Sequence, residues 1–232
     1  MVHGVTLPLT DLRRTAIASE RLALNAFELA DAGAVFAAID RTLARFMVWE
    51  PPTSLAAFQS TGADWVARME RGTDLPLLIR LASSREFLGM ATLQQMDTAE
   101  PSLGIWLREG AHGKGYGREA GLAILGWVGE TRGAALLHYP VVAGDIPSKR
   151  LAEALGGQKG GSHSLRKASG IELKVLEYRI DTALAIPAPA GPRNACGTQV
   201  EFVSQSKALA TPLRTRTKSV PSPPRDAVAL LG

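Results

Sequence analysis

Alternation of apolar and polar side chains marks the predicted strands of the chain. The segment RLALNAF (residues 21–27) alternates in this way, which is typical of a strand with one buried face. The runs LPLLIRLA (75–82) and EFLGMATLQQM (86–96) flank two serines and predict a β-hairpin. Three more strands are predicted: SLGIWL (102–107), IELKVLEYRI (171–180) and the mostly apolar ALLHYPVV (135–142), which we expect to be buried on both faces.

Segments with helical spacing alternate with these strands. Asp31 can cap a helix whose apolar positions are Val35, Phe36, Ile39 and Leu43. A second helix is predicted within residues 53–71, a third after residue 115, and a short fourth from Asp145 to the pair Gly156-Gly157. The order is strand, two helices, three strands, helix, strand, helix, strand. It predicts a single α/β (α+β) domain with a mixed sheet.

Composition divides the chain at residue 184. The segment 185–232 holds seven of the 14 prolines, six basic residues and two acidic ones, so it carries the whole net charge of +4. We expect this Pro-rich basic tail to be disordered, because its apolar residues follow no period. Residues 1–18 are predicted to be an N-terminal arm and 19–184 the folded domain. Since that domain is formally neutral, we expect no nucleic-acid partner.

Two features bear on the compartment. The sequence has no apolar run of membrane-spanning length and no signal-peptide pattern at its start, so we expect no membrane association. Cys196 is the only cysteine, which excludes an internal disulfide. A cytoplasmic location is therefore expected.

A glycine-rich segment, HGKGYG (residues 112–117), joins the strand 102–107 to the following helix. Such a segment presents main-chain N–H groups and the positive end of a helix dipole, which together bind anions. The P-loop pattern fails because the only Gly-Lys pair here is followed by Gly115. The dinucleotide pattern is matched by Gly115, Gly117 and Ala120 but lacks the acidic residue about twenty positions on.

The third known pattern fits the segment. HGKGYG follows [RQ]-x-x-G-x-[GA], with which acetyltransferases of the GNAT superfamily hold the pyrophosphate of coenzyme A. SERLAL (19–24), WEPPTSL (49–55), LGIWL (103–107) and DIPSKRLAEALGG (145–157) occur in the family's order. The chain resembles the branch of ribosomal-protein N-acetyltransferases over residues 19–180. This resemblance implies a mostly antiparallel central sheet flanked by helices, and acetyl-CoA as co-substrate.

The resemblance also implies a set of coenzyme contacts. They are Ile105, Trp106, Leu107, His112, Gly113, Lys114, Gly115, Tyr116, Gly117, Arg118, Asp145 and Ser148. Two positions depart from the family: His112 replaces the usual Arg or Gln, and Asp145 replaces the usual Asn. The tyrosine that often protonates the departing thiolate is also absent from the helix after Ser148.

The implied reaction is direct attack of a primary amine on the thioester, and it needs a base and a group to meet the thiolate. Glu100 and Glu50 are the candidate bases, although each can equally be a solvated surface residue. Ser148 and Tyr139 are the available hydroxyls; Ser148 can instead cap its helix and Tyr139 can lie in the core. His3, His138 and His163 lack the spacing of metal ligands, so no metal is expected.

Two functional hypotheses follow. The first is an acetyl-CoA-dependent N-acetyltransferase whose acceptor is a protein N-terminus or a small-molecule amine. The second is a non-catalytic acyl-CoA-binding domain, which the missing tyrosine and the Asp145 replacement motivate. Either can be a monomer or a homodimer. Release of the free coenzyme A thiol distinguishes the two.

Overall fold

A computed structural model describes residues 11–133 and 136–184 of the chain. The predicted tail and the first ten residues of the predicted arm lie outside this part. Within the arm, Leu12–Arg14 form a 3₁₀ turn and Ala16–Ala18 form a strand. Leu12 and Ile17 are buried in the core, so these residues of the predicted arm are packed against the domain.

One eight-stranded sheet forms the centre of the molecule. Its strand order is β1-β2-β3-β4-β5-β6-β8-β7. Every neighbouring pair is antiparallel except β5 with β6, which is parallel. The mixed, mostly antiparallel sheet expected from the sequence is therefore confirmed. The strands are β1 (Ala16–Ala18), β2 (Leu22–Ala26), β3 (Leu75–Leu81), β4 (Phe87–Gln94), β5 (Ser102–Leu107), β6 (Leu136–Val142), β7 (Gln158–Arg166) and β8 (Glu172–Asp181).

The described residues form five α-helices: α1 (Ala32–Ala38), α2 (Arg41–Ala44), α3 (Leu55–Glu70), α4 (Tyr116–Arg132) and α5 (Ile146–Ala154). Polar caps set several boundaries, because they satisfy the first main-chain N–H groups of a helix. The Ser54 hydroxyl accepts from Ala57 N at the start of α3. The first predicted helix is in fact two, since Ile39 is extended and Asp40 caps α2 through Leu43 N.

A separate apolar cluster fills each face of the sheet. On one face, α4 and α5 bury residues such as Ile124, Leu125 and Leu155 against the strands. On the other face, α1 and α3 bury Val35 and Phe58 against the sheet. We call the first face the coenzyme face and the second the acceptor face, for the roles proposed for them below. Because α1 and α3 pack over β2–β4, the acceptor face of β6 and β8 stays partly exposed.

Two expectations about strands were wrong. Strand β7 was not predicted, because QKGGSHSLR has a single apolar residue and all but one of its positions are exposed. Strand β6 is fully buried on one face, where Leu137, Tyr139 and Val141 point into the core, but on the other face His138 and Pro140 are only partly buried and Val142 alone is buried. The alternation in β6 places His138 on the acceptor face.

Candidate active site

The parallel strands β5 and β6 part almost as soon as they meet. Their single register pair among the described residues is Ser102 with His138, and His138 N donates to Pro101 O at 2.9 Å. Beyond this point β5 stays paired with β4, and β6 stays paired with β8. A gap therefore opens in the middle of the sheet, and unpaired main-chain groups line it.

Hydrogen-bond alternation decides which groups of β5 face the gap. Arg108 N donates to Leu88 O at 2.9 Å, across the antiparallel pair that β5 forms with β4. Since bonded positions alternate in such a ladder, Trp106 bonds β4 while Ile105 and Leu107 turn their main-chain groups to the gap. The Nε2 of His112 donates to the Leu107 carbonyl at 2.7 Å, so the imidazole holds the end of β5.

The glycine-rich segment after β5 ends at the N-terminus of helix α4. Gly113 and Gly115 have φ values of +74° and +80°, a conformation that disfavours any residue with a Cβ atom. Gly115 is the N-cap and offers no side chain to the first N–H groups of α4, so these are available to an anion. Lys114 and Arg118 are exposed beside them.

Gly117 has a different role. A Cβ atom built on it would lie 3.3 Å from Leu151 Cδ2 of helix α5, and at Gly121, one turn later, it would lie 2.7 Å from Leu155 Cδ1. These two glycines therefore let α4 and α5 pack closely. We call the glycine-rich segment 112–117 and the first N–H groups of α4 the cradle. Gly117 contributes to the cradle by allowing α4 to pack against α5.

Arg21, which the sequence analysis did not single out, ties the glycine-rich segment to strand β2. Its Nη1 donates to the Lys114 carbonyl at 3.1 Å, and its Nε and Nη2 meet Glu119 Oε2 at 2.7 and 2.6 Å. The guanidinium carbon also lies 4.7 Å from the ring centre of Tyr116. Arg21 lies within SERLAL, one of the segments that resemble the family, but no local pattern indicates which residues it contacts.

Glu119 receives further donors from the same segment. The Ser19 hydroxyl and Arg21 N each donate to its Oε1 at 2.7 Å. Partial burial acts to raise the pKa of Glu119, but the hydrogen bonds from Ser19 and Arg21 and the guanidinium charge outweigh it and lower the pKa. The carboxylate is therefore charged in the first turn of α4, where it interacts favourably with the positive end of the helix dipole.

The start of helix α5 uses two of the predicted coenzyme contacts. Asp145 accepts from Ser148 N at 3.0 Å and from the Ser148 hydroxyl at 2.7 Å. Both side chains are therefore engaged in capping α5. The Asp145 carboxylate performs the capping that Asn would perform, so this departure from the family leaves the helix start intact.

Tyr139 lies on the coenzyme face of β6, two per cent exposed. Its hydroxyl is buried without a hydrogen-bond partner among the residues that the structure describes. Burial, together with the negative charge of Asp145, raises the pKa of Tyr139 far above its ordinary value. The hydroxyl therefore keeps its proton and can donate a hydrogen bond, and its raised pKa disfavours a role as an acid.

On the acceptor face, Glu100 stands at the point where the strands part. Its Oε2 accepts from His138 Nε2 at 2.7 Å, and the Glu100 side chain is 43% exposed. This pairing was not predicted, because the two residues lie 38 positions apart and have no shared motif. The carboxylate is accessible, oriented by an imidazole and adjacent to the gap.

Glu50, the other candidate base, is part of a contact between two loops. Its Oε1 accepts from the Ser169 hydroxyl at 2.7 Å, in the turn between β7 and β8. In the same turn the buried Lys167 donates to the Ala44 carbonyl at 2.9 Å. The two contacts hold the 44–50 segment against the β7–β8 turn, so Glu50 has a structural partner of its own. Trp49 packs edge-on against Trp65 beside it, with ring centres 5.9 Å apart.

The described residues contain neither a metal-binding cluster nor a membrane-spanning helix. No group of three or more His, Cys, Asp or Glu side chains in residues 11–133 and 136–184 is arranged to hold a metal ion. Over the same ranges, none of the helices combines the length and the apolar character that a membrane crossing requires.

A parted strand pair that leads to an open helix N-terminus suits a long co-substrate with an acyl group at one end and phosphates at the other. Together the fold and the site define an acyltransferase. The chain belongs to the acetyltransferase (GNAT) domain family, whose model matches residues 21–158. A comparison with curated protein sequences finds no match.

Solved structures agree on the fold. Mycobacterium smegmatis RimJ, in complex with CoA-disulfide, is 18% identical, with a TM-score of 0.66 over 76% of this chain and 92% of that one. RimL, a ribosomal L7/L12 alpha-N-protein acetyltransferase solved with coenzyme A, is 17% identical, with a TM-score of 0.64 over 72% and 98%. A proposed ribosomal-protein-serine acetyltransferase from Vibrio cholerae is 18% identical, with a TM-score of 0.64 over 73% and 98%. At these identities the likeness establishes the fold.

Proposed function

We propose that the protein is an N-acetyltransferase that moves an acetyl group from acetyl-CoA to a primary amine. The observation that carries the proposal is the gap between β5 and β6, which leads from Glu100 to the N-terminus of α4. The coenzyme supplies an activated acetyl thioester. In this proposal the N–H groups at the start of α4 bind the pyrophosphate, and the N–H groups of Ile105 and Leu107 bind the pantetheine arm and polarise the acetyl carbonyl.

Glu100 is the proposed base. An alkylamine is protonated at neutral pH and cannot attack until it loses a proton. Glu100 is accessible, lies at the start of the gap and is oriented by His138. Glu50 is the weaker candidate, since its carboxylate is hydrogen-bonded to Ser169 and holds a loop in place.

Tyr139 is the proposed partner of the departing sulfur, as a hydrogen-bond donor rather than as an acid. Its hydroxyl has no competing acceptor among the described residues, whereas the hydroxyl of Ser148 already donates to Asp145. A buried donor aimed at a developing thiolate is worth more than the same bond in water.

The acceptor that we propose is the N-terminal amine of a protein, in the cytoplasm. RimL and the Vibrio protein share this fold, and both are named as acetyltransferases of ribosomal proteins. A small-molecule amine stays the alternative acceptor.

The test is release of free thiol from acetyl-CoA, measured with a panel of N-terminal peptides, polyamines, aminoglycosides and amino acids. We expect turnover with at least one amine, a loss in kcat/KM of tenfold or more for Glu100→Gln, and a smaller loss for Tyr139→Phe. Glu50→Gln and Ser148→Ala are the matched comparisons, expected to affect thermal stability more than kcat. Binding of acetyl-CoA without thiol release for any amine would instead support a non-catalytic acyl-CoA-binding domain.

A further inference from the structure

Four titratable side chains form a row across the acceptor face, beginning at the gap. In order they are Glu100, His138 on β6, Glu177 on β8 and His163 on β7; we call them the relay row. His138 Nε2 lies 2.7 Å from Glu100 Oε2, and His138 Nδ1 lies 3.9 Å from Glu177 Oε2. The other oxygen of Glu177 lies 3.3 Å from His163 Nδ1. Each carboxylate in the row therefore has an imidazole as its neighbour.

The register of the sheet produces this row. His138 pairs with Ser102 on one side and with Arg179 on the other, so it stands where β5 and β6 part. Side chains at 138, 177 and 179 share the acceptor face, because their neighbours on each strand point into the core. Of the charged groups that face the row, Arg179 Nη2 lies 3.9 Å from Glu100 Oε2.

Both ends of the row are more exposed than its middle. The side chains of Glu100 and His163 are 43% and 50% exposed, whereas those of His138 and Glu177 are 30% and 29% exposed. We expect an acceptor bound over the gap to cover the Glu100 end and to leave the His163 end in solvent. Of the three steps in the row, that between Glu100 and His138 is a direct hydrogen bond. The contacts on either side of Glu177 are ion-pair distances of 3.3 and 3.9 Å, and one water molecule can span the longer of them.

The reaction has a proton to dispose of. When an alkylammonium becomes an amide, its nitrogen loses two protons, a new N–C bond forms, and the C–S bond breaks with its electron pair leaving on sulfur. One proton finishes on the sulfur and the other must reach solvent. Glu100 must then return to its charged form before the next turnover.

We propose that His138, Glu177 and His163 carry this proton from Glu100 to solvent, with His138 also orienting the carboxylate. This inference rests on the proposed function, because it assigns a path to the proton which that function releases. With Glu100 ionised, His138 Nε2 carries the hydrogen that it donates to the carboxylate. To export a proton, the partly exposed ring first exchanges with solvent to the tautomer that has its hydrogen on Nδ1. Nε2 then takes the proton of Glu100 while Nδ1 gives its own proton, through water, towards Glu177. His138 is thus a positioning residue that acts through Glu100, and His163 is the exit.

The first experiment measures kcat, the acceptor KM and the coenzyme Kd of His138→Gln across pH. The glutamine amide can still donate to Glu100 but cannot accept and release a proton. We expect kcat at pH 7 to fall tenfold or more, to recover as pH rises towards 9 where free amine and hydroxide become available, and to recover at pH 7 with added imidazole. Coenzyme Kd should stay within twofold. Glu172→Gln, in the exposed Arg166–Glu172 pair of the same hairpin, is the matched control and should equal the wild type.

A second experiment needs no turnover, so it separates failure of this inference from failure of the proposed function. Imidazole NMR signals of His138 and His163 are recorded at one pH in the wild type and in Glu177→Gln. If Glu177 contacts both rings, the substitution moves the signals of both, while Glu172→Gln moves neither.

Three results would contradict the proposed proton path. A kcat loss in His138→Gln that is equal at all pH values and is not rescued by imidazole would make His138 a structural residue only. Unchanged kcat would remove it from the reaction. Histidine signals that are unchanged in Glu177→Gln would break the row at its centre, whether or not the wild type turns over.

Discussion

Arg21 is expected to organise the coenzyme site without touching the reacting atoms, and Arg21→Ala tests this. The substitution removes two donors from Glu119, one from the Lys114 carbonyl, and the stacking on Tyr116. Hydrogen bonds to a charged group contribute about 1.5–3 kcal/mol and a cation–π contact about 0.5–1 kcal/mol. Because the Arg21 side chain is 45% exposed, we take a total near the low end, about 2 kcal/mol.

Two measurements follow from that magnitude. The melting temperature should fall by about 4–8 °C, as expected for a loss of this size in a domain of this length. Isothermal titration calorimetry should give a coenzyme A Kd raised by about 5- to 30-fold. The upper limit corresponds to the full loss of about 2 kcal/mol, because the loss in binding free energy cannot exceed the free energy with which the Arg21 contacts favour the bound form of the loop. Arg166→Ala, which removes another arginine–glutamate pair far from the loop, should leave Kd unchanged.

A specific result would refute the reasoning on Arg21. If Arg21→Ala lowers the melting temperature but binds coenzyme A as the wild type does, the ion pair stabilises the fold and has no part in forming the cradle. A double-mutant cycle with Glu119→Ala measures their coupling, which we expect to be at least about 0.5 kcal/mol in coenzyme binding.

Three further predictions concern the strands around the gap and the acid stability of the site. Gly104→Phe should fold, because Gly104 is exposed and a Cβ at this position meets no atom within 4 Å. We expect the ring to raise the acceptor KM tenfold or more and to leave the coenzyme Kd unchanged. An unchanged KM would place the acceptor elsewhere. Gly89→Ala should lower the melting temperature by about 6 °C or more, because its Cβ would lie 2.2 Å from the Trp106 carbonyl oxygen, and a wild-type melting curve would contradict this. Since the folded pKa of Glu119 lies below its ordinary value of 4.5, its contribution to stability is present above that value and lost as pH falls through the folded pKa. Urea unfolding of Glu119→Gln should therefore lose less stability than the wild type between about pH 5 and pH 3, whereas Glu172→Gln should follow the wild type.

Periodicity predicted those parts of the fold in which one face of an element is buried. Helix α4 carries apolar residues at helical spacing and was placed correctly despite three glycines in its interior. Strand β7 was missed because it lies at the edge of the sheet, where pairing with β8 through the main chain needs no apolar pattern. The expectation for β6 failed for a related reason: a run of apolar letters does not reveal that Pro140 and His138 lie on a partly open face.

The residues of the candidate site also differ in whether local sequence can reveal them. The glycine-rich segment was found because its chemistry is local: consecutive residues supply the turn and the helix N-terminus. Glu100 was singled out from its position before β5, but its partner His138 was set aside, because only the parallel register brings the two together. Arg21 and Glu119 are likewise joined by tertiary structure alone.

The contact of Arg21 with Glu119 spans 98 positions of the chain, and this has a consequence for how the protein becomes competent during synthesis. Strand β2 leaves the ribosome well before helix α4 exists, so the phosphate cradle has no local precursor to assemble early. Translation must pass the whole β2–α4 interval before the nascent chain can gain stability from coenzyme A. Long-range closure of this kind slows folding, and it leaves a chain interrupted before α4 without affinity for the coenzyme.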